Sequence, residues 1–279
     1  MAQSDNKLRI PETLRKVKNI VGIFSAKGGV GKSAISLQIA LALRDKGFSV
    51  GLVDADIYGP SQPIMLGSSA GELKLSKAQV IEPLTKEGIK FISMGLISGE
   101  NMPVIWRGPM VSGAVMQLLS QTDWGELDYL IVDTPPGTGD VQLTLLQRIP
   151  LTSSIVVTTP QEVSISDCKK GIEMIKRLDK PITGLIENMS WFKPDDQDKK
   201  YFLFGKGGGK KLSEEYSIDL LAQLPLVEIP EDSKIQNHPL LKMEFDNIAD
   251  KLVNSLKALK EKKSSGIPQI NIILSLIHI

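Results

Sequence analysis

The run SAKGGVGKSAISL, residues 25–37, gathers Lys27, Lys32, Ser33 and the glycines Gly28, Gly29 and Gly31 into one short segment. Such a run suits a polyphosphate. Glycines let backbone N–H groups turn inward onto an anion, and a helix starting at the end of the run adds the positive end of its dipole. Lys32 is then placed for the β- and γ-phosphates and Ser33 for Mg²⁺. Val30 and Ala34 complete the segment expected to wrap the phosphates. The run departs from the pattern G-x-x-x-x-G-K-S/T at Ala26, which stands where the leading glycine belongs. Alanine is acceptable there if its backbone keeps φ below zero.

Two further segments supply carboxylates. DADIYGPSQP begins at Asp54 and DTPPGTGD at Asp133, each directly after an apolar run. Both place aspartate at the carboxyl end of an expected strand, the edge where open α/β sheets bind ligands. Asp133 is the natural holder of the Mg²⁺ shell, and Asp54 and Asp56 flank the γ-phosphate region. A lone aspartate at a strand end is often only a cap or turn former. Three of them in register with one phosphate loop are harder to read that way and suit a Mg²⁺-bound polyphosphate.

The elements that must position these residues are legible as short apolar runs alternating with helical patterns. Strands are expected at 20–25, 49–54, 89–94, 128–133, 153–159, 181–188 and 219–225, and helices at 32–46, 110–121, 139–148, 164–178 and 240–261. Strand hydrophobicity that is continuous rather than alternating implies strands covered on both faces. The expected fold class is α/β, a P-loop NTPase with a mostly parallel sheet and helices on both faces. In the last helix Phe245, Ile248, Leu252, Leu256 and Leu259 share one face and should pack on the sheet.

The chain divides into an N-terminal arm (1–19), an ATPase domain (20–262) and an apolar C-terminal tail (263–279). Inside the domain, residues 190–211 combine a charged run with a glycine cluster and read as an ordered loop or flap. Basic and acidic residues number 33 and 32, a net charge of +1, so no global field gathers nucleic acid or an anionic membrane. The N-terminus lacks the apolar segment of a signal peptide and no stretch has the length of a spanning helix, so a cytoplasmic protein is expected. The single cysteine, Cys168, excludes an internal disulfide and a closed all-cysteine metal site within one chain. It lies in a helical pattern and reads as a buried helix residue.

The word KGGVGKS resembles the deviant phosphate loop of the MinD/ParA class of ATPases, in which the first lysine is the signature residue. That resemblance implies that Lys27 reaches across a homodimer interface to the nucleotide of the other subunit, joining Lys32 and Asp56 as the catalytic set. It also implies that Asp56 orients the attacking water, that Asp54 lies nearer the metal, with Ser33, Asp54 and Asp133 around Mg²⁺ partly through water, and that Pro136 and Gly137 belong to switch II. Asn188, which could also be a turn residue, matches the asparagine that reads the base.

The longer words DADIYGPSQPIMLG, WRGPMVSGAVMQLL, DYLIVDTPPGTGDVQLTLLQ, VVTTPQEVSISDCKKGIEMI, GLIENMSWF and FGKGGGKKL resemble the Mrp/ApbC iron-sulfur carrier ATPases, from about residue 17 to residue 240. The resemblance implies a homodimer that closes on ATP, a 4Fe-4S cluster, and partners among the apo-proteins or scaffold proteins of iron-sulfur assembly. Neither nucleic acid nor a membrane span is implied. One departure bears on the cargo. In that family ENMS and two aromatic residues precede a C-x-x-C pair, but here the place reads WFKPDDQDKK, so no iron-sulfur ligands are assigned. Asp195 and Asp196 cannot replace soft thiolates. Two other readings follow: an ATP-dependent positioning switch of the MinD/ParA kind, or a nucleotide switch that has lost cluster binding. An N-terminal MIP18-type domain, common in the family, is not among these residues.

Overall fold

The computed structural model describes residues 11–69, 73–75, 80–98, 108–194, 198–230 and 234–264. The first ten residues of the arm, Asp195 and Asp196 in the flap, and the tail from residue 265 lie outside the described residues. The strands are β1 (Ile20–Phe24), β2 (Val50–Asp54), β3 (Lys74–Leu75), β4 (Ile81–Glu82), β5 (Leu84–Lys86), β6 (Ile89–Ser93), β7 (Tyr129–Asp133), β8 (Ser153–Thr158), β9 (Ile182–Glu187) and β10 (Leu220–Gln223). The helices are α1 (Glu12–Arg15), α2 (Lys32–Asp45), α3 (Gln62–Met65), α4 (Met94–Ser98), α5 (Gly108–Gln121), α6 (Asp140–Arg148), α7 (Glu162–Arg177), α8 (Gly208–Tyr216) and α9 (Pro239–Ser264).

Eight strands form one sheet in the order β10-β9-β8-β1-β7-β2-β6-β5, and β3 pairs separately with β4. Every neighbour in the large sheet is parallel except β5, which returns antiparallel along β6. The central strands are buried at every position. Successive side chains still serve different layers. Along β1, Val21 and Ile23 join the core under α2 and α9, whereas Ile20 and Phe24 join the core under α5, α6, α7 and α8. The apolar face of α9 supplies Phe245, Ile248, Leu252 and Leu256 to the first core, with Leu259 packed against it.

Besides the short helices α1, α3 and α4, two features depart from the sequence reading. The edge strand β5 and the β3–β4 pair are too short to carry a hydrophobic period. In the flap region, α8 begins inside the glycine cluster at Gly208, although glycine is about 1 kcal/mol worse than alanine in a helix. Close packing explains the choice. A Cβ on Gly208 would sit 2.8 Å from Ile165 Cδ1, and one on Gly209 would sit 2.9 Å from Glu187 Cβ.

Candidate nucleotide site

The phosphate loop leaves β1 at Ser25 and enters α2 at Lys32. Gly29 and Gly31 hold φ of +77° and +83°, the left-handed region that a side chain strains to reach. Ala26 has no positive φ, which answers how it can replace the leading glycine. It packs against α7, where a Cβ on Gly171 would lie 3.4 Å from the Ala26 methyl.

Parallel pairing then delivers the carboxylates. Asp133 is in register with Ile23 on one side and Asp54 on the other, so both aspartates end at the same sheet edge as the loop. Lys32 Nζ lies 2.5 Å from Asp133 Oδ1 in a buried ion pair. The Ser36 hydroxyl, one helical turn on, shares its proton between Asp133 Oδ1 at 3.0 Å and Lys32 O at 2.9 Å. The second Asp133 oxygen accepts from Gln62 Nε2 at 3.0 Å.

Asp54 is fully buried and accepts from Ser93 Oγ at 3.0 Å and from the backbone N–H groups of Asp56 and Gln62 at 3.1 and 3.3 Å. Burial, followed by the neighbouring charge of Asp133, pushes its carboxyl up to about 7; the bonds from Ser93 and Asp56 and the nearby Lys32 oppose that rise. Asp56 is less enclosed. Its Oδ1 accepts from the N–H groups of Tyr58 and Gly59, each at 3.2 Å, which turns the chain after β2.

A cavity of about 370 Å³ opens over the loop, lined by Lys27, Lys32, Ser33, Asp56 and Pro136 together with loop backbone. Asp54 and Asp133 are buried and do not line it. Lys27 is exposed, and its ammonium has no partner among the described residues. Gly137 donates its N–H to Ser25 O at 2.9 Å, drawing the segment after β7 along the start of the loop. Asn188, just beyond β9, donates from Nδ2 to Val30 O at 2.9 Å.

The oxygen donors around Ser33, Asp54 and Asp133 are hard ligands and fit Mg²⁺, which keeps several of its waters beside phosphates. A buried oxygen there, Gln62 Oε1, lacks a partner among the described residues. A 4Fe-4S cluster does not fit the thiols of this chain. Cys168 is buried on α7, and burial pushes its thiol up to about 12.

The flap is held from below by Glu187, which sequence reasoning missed. This buried carboxylate accepts from Ser190 Oγ at 2.6 Å, Gln223 Nε2 at 2.7 Å and the Gly209 N–H at 2.5 Å, the last inside the first turn of α8. Further out, Phe192 and Tyr201 exchange backbone bonds of 2.8 and 2.7 Å, and Lys200 stacks 3.8 Å from the Trp191 ring centre. Ser36 and Gln62 were also missed. Ser36 had one available signal, its four-residue spacing from Lys32, which puts it on the same helix face.

A parallel sheet with this loop on a central strand and aspartates on two neighbouring strands defines a P-loop NTPase. A model of the NUBPL iron-transfer P-loop NTPases, within the ParA group, matches residues 16–259, and the chain belongs to that family. An iron-sulfur cluster carrier protein from Synechocystis is 49% identical over 219 residues, covering 77% of this chain and 62% of that protein. One from Methanocaldococcus jannaschii is 44% identical over 269 residues, 94% of this chain and 92% of the other. Among solved structures, a nucleotide-binding protein from Archaeoglobus fulgidus in complex with ADP superposes with a TM-score of 0.69 at 30% identity, over 86% of this chain and 90% of that one. The Pyrococcus furiosus cell division ATPase MinD shares the fold, with a TM-score of 0.58 at 19% identity over 85% of this chain and 99% of that one. No helix among the described residues is long and apolar enough to cross a membrane.

Proposed function

We propose that this chain is a Mg²⁺-dependent ATPase that works as a homodimer in the binding or transfer of iron-sulfur clusters. The observation that carries the ATPase reading is the buried Lys32–Asp133 pair beneath a glycine loop whose cavity holds Lys27, Ser33 and Asp56. Lys32 and the loop N–H groups bind the β- and γ-phosphates. Ser33, with Asp54 and Asp133 through water, would hold Mg²⁺, which neutralises phosphate charge when bound. Asp56, at the cavity wall, orients the attacking water. Lys27 reaches the nucleotide of the second subunit, where a cation lowers the cost of charge gathered on the transferring phosphoryl group. Its exposure and the lack of a partner among the described residues support that role. Asn188 lies beside the loop to meet the base, and Pro136 and Gly137 follow the γ-phosphate as switch II.

The test is phosphate release from Mg-ATP by the wild-type chain and by Lys32→Ala. Turnover lost in the variant supports the assignment, and equal turnover removes the loop from the active site.

The absence of thiolates in the flap favours a second reading for the cargo: a nucleotide switch that has parted from the cluster. Anaerobic reconstitution, with iron and acid-labile sulfide counted per dimer, separates the two. About four of each support a carrier role. Iron at background beside intact ATP hydrolysis supports the switch. A third reading, surface positioning through an amphipathic C-terminal helix, loses ground because the apolar face of α9 is committed to the core.

A further inference from the structure

Gln62, the first residue of α3, is fully buried and touches three of the groups assigned above. Its Nε2 donates to Ser33 O at 2.8 Å and to Asp133 Oδ2 at 3.0 Å, and its main-chain N–H donates to Asp54 Oδ2 at 3.3 Å. Both side-chain partners can only accept. The carboxamide therefore has one sensible orientation, because flipping it would set oxygen against a carbonyl and a carboxylate.

That orientation leaves Oε1 buried with no donor among the described residues. A buried acceptor left without a donor is costly. The unpaired oxygen is satisfied if a donor arrives with the ligand. Nucleotide phosphates offer acceptors, so they cannot supply it. Water bound to a divalent cation can, and the cation makes that water a stronger donor.

We propose that Gln62 is a positioning residue for hydrated Mg²⁺. Its nitrogen fixes the Ser33 main chain and one oxygen of Asp133, while Oε1 accepts a hydrogen bond from a water of the ion's shell. The inference rests on the nucleotide reading above and adds a residue to it. It also joins the segment after β2 to the phosphate loop and to β7, so a single side chain aligns three pieces of the site.

The test is calorimetric binding of ADP in EDTA and in Mg²⁺ to the wild-type chain and to Gln62→Met, which keeps the bulk and removes both polar atoms. Binding in EDTA reports the loop alone, and the gain on adding Mg²⁺ reports the ion. The expected result is ADP binding in EDTA by both proteins, with the Mg²⁺-dependent gain cut on the order of tenfold in the variant, the usual effect of losing a partner that orients a metal's ligands. An equal gain in both proteins overturns the proposal and makes Gln62 purely structural. Failure of the wild-type chain to bind ADP under either condition overturns the nucleotide reading itself. If Gln62→Met does not fold, Gln62→Asn, which withdraws the amide by one methylene, is measured in the same way with the same expected loss.

Discussion

Asn188 Nδ2 donates to Val30 O at 2.9 Å, and the same nitrogen occupies the space that a Cβ on Gly31 would need. The asparagine after β9 and the glycine before α2 are therefore fitted to one another. Glu187, the preceding residue, binds the first turn of the flap helix α8, so adjacent residues hold the phosphate loop and the flap.

The fit predicts that Gly31→Ala is severe. The new methyl would meet Asn188 while the backbone stayed at φ +83°, a strain of about 1–3 kcal/mol. Chemical denaturation should show the stability loss, and ADP affinity should fall with it. Adding Asn188→Ala removes the collision and should recover part of the loss.

Lys32 and Asp133 form a pair whose members cannot be removed singly without cost. Lys32→Met leaves a buried carboxylate with only neutral donors, and the nucleotide-free protein should lose about 3–5 kcal/mol. The double variant Lys32→Met/Asp133→Asn should recover most of that stability while remaining unable to turn over ATP. Urea unfolding and phosphate release measure the two effects separately.

Two carboxylates give opposite pH dependences. Asp128 accepts from Lys18 and twice from Ser49, which lowers its carboxyl to about 2. Its contribution is present above the ordinary carboxylate range and is lost as pH falls toward 2. Asp54, raised to about 7, binds its proton more tightly folded than unfolded, so the metal-free, nucleotide-free protein should lose stability as pH rises from about 4 to about 7. Denaturation midpoints of Asp54→Asn and Asp128→Asn across pH 2–8 should each lack the corresponding slope.

Glu187→Ala should loosen the flap. It strips the Gly209 N–H, Gln223 and Ser190 of a shared acceptor, at about 1–3 kcal/mol for buried donors left unpaired. Hydrogen exchange should accelerate in α8 and the preceding glycines while the protection of β1 stays unchanged.

Much of this arrangement was legible in the chain because its signals are local. Continuous apolar runs marked the strands of the parallel sheet, and an apolar run leading into KGGVGKS located the phosphate loop. Asp54 and Asp133 were readable because each ends such a run, and their register follows from parallel pairing. Ser36 was hidden because a hydroxyl inside an apolar helix looks like a spacer until β7 places Asp133 opposite it. Gln62 and Glu187 were hidden because their partners lie on other elements. The start of α8 was obscured by glycines whose purpose, close approach to Ile165 and Glu187, is visible only after folding.

In the proposed cycle ATP is hydrolysed where two copies of the chain meet. It is tested most directly by phosphate release per protomer, measured over a wide range of protein concentration for the wild type and Lys27→Ala. Hydrolysis across two subunits requires a wild-type rate that rises with concentration to a plateau, and a Lys27→Ala protein that binds ATP yet stays slow throughout. A wild-type rate independent of concentration and matched by Lys27→Ala would contradict it.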